Sequence, residues 1–118
     1  MTSSTAALIA YLKRKFPSVK VANRVPQDRP KKLITVERTG GQRTHLWDSP
    51  MFAVQAWAAT EAEASALADE VAVAVLDWQR EAIVAYSDVR SVYAFPDPDS
   101  RVPRFQLTVS ATLALARS

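Results

Sequence analysis

Side chains capable of acid–base or metal chemistry are sparse and scattered in this sequence. The chain has one histidine, His45, and no cysteine, so hydrolytic triads, thiolate metal sites and most zinc sites lack their usual residues. A lone histidine beside apolar residues is usually an ordinary structural or surface residue. No G-x-S-x-G, P-loop or G-x-G-x-x-G motif occurs. We therefore predict a protein that is not an enzyme and that uses no cofactor.

Three aspartates fall close together in the second half of the chain: Asp88, Asp97 and Asp99. Carboxylates are ligands of hard cations, but the segment "DPDS" does not follow the EF-hand spacing. Prolines are interspersed with Asp97 and Asp99, which is typical of a solvated loop. We predict a projecting loop over residues 96–103 and no metal site.

The two halves of the chain differ in charge. Residues 1–59 contain ten Lys and Arg against three Asp and Glu, whereas residues 60–118 contain five against nine. This asymmetry fits a self-solvating acidic helix, contact with nucleic acid, or subunits that stack front to back. The basic residues at 31–47, with Trp47 beside them, support at most a weak, sequence-independent attraction to DNA.

The clearest local pattern is a strand followed by a helix in the middle of the chain. Residues 51–59 form an apolar run of strand length. Thr60 and Glu63 form a capping box, and apolar residues then recur at helical spacing. Val73 and Leu76 lie off that apolar stripe, on an otherwise acidic face. They predict cover either by a neighbouring subunit or by the first helix or the 96–103 loop of the same chain.

The whole chain, residues 1–118, is predicted to form one α+β domain. Its mostly antiparallel sheet of four to five strands carries two helices packed on one face, in the order α-β-β-β-α-β-β. The last strand alternates apolar and polar residues over about a dozen positions. Helices are predicted over residues 3–16 and from residue 60 to a point between residues 80 and 85. Three or four strands are predicted before the second helix, from the segments 19–25, 33–39, 42–47 and 51–59. Two more are predicted after it, at 89–95 and 104–116.

Gly40 and Gly41 are the only glycines and are adjacent. Between two strand-like runs, they predict a two-residue hairpin turn, since glycine readily adopts the positive φ angles such turns need. Residues 42–47 would then form the return strand, and the segment 48–50 would end it.

No apolar run approaches the roughly 20 residues of a membrane helix. At the N-terminus the basic residues follow the apolar ones, which is the reverse of a secretory signal. We expect a protein that is made and kept in the cytoplasm, or assembled into a larger structure there, without contact with a membrane.

Two segments resemble a known protein family. These are "DSPMFAVQAWAATEAEASALADEVAVAVL" and "YAFPDPDSRVPRFQLTVSATL", which are similar to tail terminator, or tail completion, proteins of long-tailed bacteriophages, especially those of actinobacterial hosts. The similarity covers nearly the whole chain, and its shared features are structural rather than catalytic. Head–tail connector and stopper proteins of the same viruses are also small α+β chains.

The resemblance implies a structural virion protein at the head–tail junction, assembled in the host cytoplasm. Members of that family form a homo-hexameric ring on the last ring of the major tail tube protein. The ring ends tube polymerisation and offers a surface to the head–tail connector or stopper protein, while DNA passes through its lumen without sequence specificity.

Complementary basic and acidic patches would suit the head-to-tail contacts of a ring. We expect loops 26–32, 40–43 and 96–103 to dock on the tube or connector. The alternatives are another head–tail connector or stopper protein, or a small basic nucleic-acid-binding protein. The candidate residues for subunit or ring–ring contacts are Arg38, Gln42, Arg43, Val73, Leu76, Asp97, Asp99 and Arg101.

Overall fold

Five strands form one sheet, and two helices cover one of its faces. The computed structural model describes residues 3–115. The strand order is β1-β2-β3-β5-β4, with β1 parallel to β2 and every other neighbouring pair antiparallel. The predicted α+β class and the order α-β-β-β-α-β-β are confirmed. The elements are α1 (Ser4–Lys15), β1 (Lys20–Ala22), β2 (Leu33–Arg43), β3 (Trp47–Trp57), α2 (Glu61–Asp77), a 3-10 turn (Trp78–Arg80), β4 (Val84–Ala94) and β5 (Arg104–Ala114).

α2 begins at the predicted Thr60 cap, and Ser3 caps α1. The Ser3 hydroxyl accepts the Ala6 N–H at 3.0 Å, and the Thr60 hydroxyl accepts the Glu63 N–H at 3.1 Å. Each bond satisfies an N–H group that has no partner inside its helix. Within residues 3–115, no helix combines the length and apolar character needed to span a lipid bilayer.

The core lies between the helices and the sheet face that they cover. The even-numbered residues of β3 and the odd-numbered residues of β5 point into it, as the alternation predicts. The core also satisfies carbonyl groups near the end of α2. The Tyr11 hydroxyl donates to the Ala74 carbonyl at 2.6 Å, and the Ser87 hydroxyl donates to the Val75 carbonyl at 2.7 Å. The largest fully buried side chains include Trp78, Phe52, Leu8, Leu12, Ile34, Leu107, Val54, Val71, Val75 and Val109.

The predicted Gly40–Gly41 hairpin turn is wrong. Both glycines lie inside β2, which continues to Arg43, and the chain turns at residues 44–46 instead. The Thr44 hydroxyl accepts the Trp47 N–H at 3.0 Å there, and the Thr44 N–H donates to the Trp47 carbonyl at 2.8 Å. Residues 48–50, predicted as a break, pair within β3.

The glycines instead mark an irregularity in the strand pairing. The register of β2 on β3 shifts between Arg38 and Gly40, and Gly41 has a φ of 110°. Glycine is common at such bulges because it tolerates positive φ and allows a second backbone to come close. A Cβ atom on Gly41 would lie 2.1 Å from the Ser49 carbonyl oxygen.

Other boundaries moved by several residues. β4 begins at Val84 rather than at residue 89, and β1 is only three residues long. Val25, inside the predicted strand 19–25, lies outside β1 and is 43% exposed. α2 ends at Asp77, and the 3-10 turn follows it directly to Arg80. Residue 80 is the lower bound of the predicted helix end, which lay between residues 80 and 85. The predicted end of the last strand, residue 116, lies outside the described residues.

Gly41→Ala should destabilise the protein by about 2–4 kcal/mol, because the new methyl group meets Ser49 backbone and φ is strained for alanine. Gly40→Ala is the matched control. No atom lies within 4 Å of its added Cβ, so we expect a change within about 0.5 kcal/mol. Urea unfolding of both variants measures the difference, and equal stability would refute the close approach.

Candidate functional site

The uncovered face of the sheet carries a ladder of hydrogen-bonded side chains across four strands. The Thr35 hydroxyl donates to Gln55 Oε1 at 3.2 Å, and Gln55 Nε2 donates to Gln106 Oε1 at 3.0 Å. Gln106 Nε2 then donates to the Tyr93 hydroxyl at 2.6 Å. Within residues 3–115, every buried side-chain nitrogen and oxygen has a hydrogen-bond partner. The ladder therefore pairs polar side chains across this face without a covering helix.

One end of the same face is built around Trp57. The guanidinium groups of Arg29 and Arg104 lie 5.5 Å and 4.8 Å from the Trp57 ring centre. Arg104 also lies 4.7 Å from the Phe95 ring centre, and its Nε donates to the Phe95 carbonyl at 2.6 Å. These cation–π contacts anchor the 23–32 loop and the start of β5 to the sheet. Trp57 is only 3% exposed, so its ring is not a free stacking surface.

The predicted 96–103 loop is present and has internal structure. The Asp97 carboxylate accepts the Ser100 N–H at 3.2 Å and also accepts the Ser100 hydroxyl. These bonds from Ser100 lower the pKa of Asp97, and Arg104 adds a weaker effect at 3.9 Å. The Arg101 N–H donates to the Asp97 carbonyl at 2.8 Å, and Arg101 has a φ of 59°. The loop thus presents Arg101 from a tight turn.

A buried ion pair joins α1 to the β2–β3 hairpin. Arg38 donates from Nη1 and Nη2 to the two Asp48 oxygens, at 2.7 and 2.9 Å, and the Ser4 hydroxyl donates to Asp48 Oδ2. Asp48 is completely buried, whereas the Arg38 side chain is 29% exposed. The hydrogen bonds from Arg38 are the main reason that the pKa of Asp48 is lowered. Arg38, predicted as a contact residue between subunits, therefore has a structural partner within its own chain.

The predicted contact residues lie in three separate places. Arg38, Gln42 and Arg43 are at the end of the sheet that carries the 44–46 turn, which we call the turn end. The 96–103 loop, with its three predicted residues, is at the opposite end, which we call the loop end. Val73 and Leu76 are 62% and 45% exposed on α2, so neither the first helix nor the loop covers them. One copy of the chain does not gather these residues into a single site.

Two exposed apolar features are not predicted from the sequence. At the turn end, Trp47 and Tyr86 flank a shallow groove and are 41% and 46% exposed. At the lateral edge, β4 is the outermost strand, and its Val92 and Tyr93 are 40% and 41% exposed. The aromatic residues were visible in the sequence, but nothing local shows that β4 is an edge. Exposed apolar edge strands readily pair with another chain.

Acid–base and metal chemistry find little support in the described part of the chain. His45 is exposed in the 44–46 turn, and residues 3–115 hold no group of three or more His, Cys, Asp or Glu that could bind a metal ion. No protein-family model and no curated protein matches the sequence.

Asp48→Asn should lower the free energy of unfolding by about 3 kcal/mol at neutral pH, because it leaves the Arg38 guanidinium without its buried counter-charge. The lowered pKa of Asp48 also gives a sign for the pH dependence. Its stabilisation is present above the unfolded-state pKa, about 3.9, and is lost as the pH falls through the lower folded-state pKa.

Asp99→Asn, at an exposed carboxylate, is the matched control, and we expect a change within about 0.5 kcal/mol. Urea unfolding of the parent and both variants between pH 7 and pH 2 gives the comparison. An Asp48→Asn protein as stable as the parent at neutral pH, with the same acid sensitivity, would contradict the role of this ion pair.

Proposed function

We propose that this protein is a tail terminator of a long-tailed bacteriophage. In this function, copies of the chain form a homo-hexameric ring on the tail tube, end its polymerisation and join it to the head connector, and DNA passes through the lumen. The sequence resemblance suggests the family. The observation that carries the proposal is the long outer strand β4, with apolar side chains exposed at the edge of a small sheet.

A ring requires heterologous contacts, in which one surface of a copy meets a different surface of the next copy. Two dissimilar lateral edges, β4 on one side and β1 with β2 on the other, meet that requirement. The exposed apolar pair Val73 and Leu76 offers a further surface on α2. The chain thus exposes apolar side chains that its own fold does not bury.

The two ends of the sheet are suited to contacts along the tail axis. The turn end presents Gln42, Arg43 and the Trp47–Tyr86 groove, whereas the loop end presents the compact 96–103 loop. A tail terminator needs two such surfaces, one for the tube and one for the connector.

A nucleic-acid-binding protein is the rival class. Several arginines that would suit it are already used within the chain: Arg38 pairs with Asp48, and Arg29 and Arg104 lie against Trp57. This internal use leaves fewer cations for a phosphate backbone and supports the assembly function instead.

The direct test adds the purified protein to headless tail tubes assembled from the major tail tube protein of the same phage. We expect ring-shaped caps at one tube end in negative-stain images and no further tube growth. A protein that stays off the tubes, remains a monomer and binds DNA with an affinity that falls steeply with salt would overturn the proposal.

Charge reversal tests the two ends. Arg43→Glu at the turn end and Asp99→Lys at the loop end should each weaken either ring assembly or joining of the tail to the head, because each reverses an exposed charge on a proposed contact surface. Lys13→Glu, exposed on α1, is the control and should cap tubes normally. Cap counts and the yield of joined particles report the two steps separately. Unchanged yields for both end variants would remove these residues from the contacts.

A further inference from the structure

We propose that neighbouring copies of this protein join by extending the β-sheet. In this arrangement, residues 84–91 of β4 in one copy pair antiparallel with residues 37–43 of β2 in the next copy, and Arg90 lies beside Glu37 of the neighbouring copy. Residues 93 and 94 stay outside the contact, because they are level with the part of β2 that β1 covers. The proposal specifies the lateral contact of the ring, and to that extent it rests on the proposed function.

Each copy has two uncovered backbone edges at the same level of the sheet. β1 pairs with β2 only over residues 33–35, so β2 has no strand on that side from residue 36 to residue 43. On the other side of the sheet, β4 is the last strand over its whole length. Such edges leave N–H and C=O groups available to another strand.

Strand directions allow this contact without turning either copy over. β3 is antiparallel to both β2 and β5, and β4 is antiparallel to β5. β4 therefore runs opposite to β2. Two copies placed side by side in the same orientation bring these strands together as an antiparallel pair, which is the relation that cyclic symmetry requires.

The register of the sheet then fixes which residues meet. Ser91 pairs with Thr108, Thr108 pairs with Ala53, and Ala53 pairs with Glu37. Arg90 is next to Ser91, at the point where the β4 register shifts. A side-by-side contact without axial displacement thus brings Ser91 level with Glu37 of the neighbouring copy, and Arg90 lies next to that level at the bulge.

The chemistry at this level is complementary. Arg90 Nε donates to the Ser110 hydroxyl at 3.3 Å, which places the arginine on the uncovered face. Glu37 lines a groove on that face with Thr35 and Gln55, and residues 23–25 of the same chain also line it. Both residues are exposed and carry opposite charges. Opposite charges on facing strands stabilise the pair and fix its register.

The contact is also sterically open where Asp88 of one copy comes level with Gly40 of the next. Asp88 pairs with Ser110, Ser110 with Met51, and Met51 with Gly40. Asp88 therefore meets a residue without a side chain, and no atom lies within 4 Å of a Cβ built on Gly40. A neighbouring strand can approach there without displacing a side chain.

Disulfide crosslinking tests the pairing directly, because the natural chain has no cysteine. In Glu37→Cys/Arg90→Cys, the two cysteines of one copy are three strand spacings apart, about 14 Å, too far for a disulfide within the chain. Oxidation of the double variant at high concentration or on tail tubes should give a ladder of covalent multimers. Glu61→Cys/Arg90→Cys is the control and should give no ladder. A double variant that stays monomeric both in solution and on tubes overturns the pairing.

Charge exchange gives a second, independent readout. Arg90→Glu and Glu37→Arg should each raise the protein concentration needed to cap half of the tubes about fivefold, near the upper end of the effect of an exposed cross-strand pair. The double exchange should restore the parent value. Circular dichroism establishes that each variant is folded. Single variants that cap like the parent, or a double variant that stays impaired, would overturn the pairing.

The outcomes separate this inference from the proposed function. If the parent protein caps tubes but the double-cysteine variant gives no covalent multimers, the strand pairing is refuted and the terminator function stands. If the variant gives covalent multimers but the parent protein does not cap tubes, the strand pairing stands and the terminator function is refuted.

Discussion

Two helices cover only one face of a five-stranded sheet, and the rest of the structure follows from that imbalance. The covered face is the hydrophobic core, in which Phe52, Val54, Leu107 and Val109 are fully buried. The uncovered face must satisfy its own polar groups. It does so with amides and hydroxyls that bond across the strands, and with arginines packed on Trp57.

The Arg38–Asp48 pair shows how a strand irregularity supports tertiary structure. β2 shifts its register directly after Arg38, and Gly41 adopts a positive φ that permits the close approach of Ser49. Bulges of this kind redirect side chains. Here the guanidinium meets a carboxylate on β3, and the Ser4 hydroxyl at the start of α1 meets the same carboxylate. One buried charge thus links the first helix to the hairpin.

The exposed features are distributed rather than gathered into a pocket. Apolar side chains lie on the outer strand, on the outer side of α2 and at the turn end, whereas the structured loop lies at the loop end. Under the proposed function, each of these surfaces would have its own partner.

The sequence by itself determined the local features: the Thr60 cap, the alternation of β5, the loop at 96–103 and the α+β class. Each depends on residues close together in the chain. Tertiary structure alone decided that Gly40 and Gly41 lie inside a strand, that Asp48 is buried, and that β4 is an edge. Those outcomes depend on which strands become neighbours. Because β5 inserts between β3 and β4, the edge that could receive another copy is set by a pairing between distant residues, which no local pattern encodes.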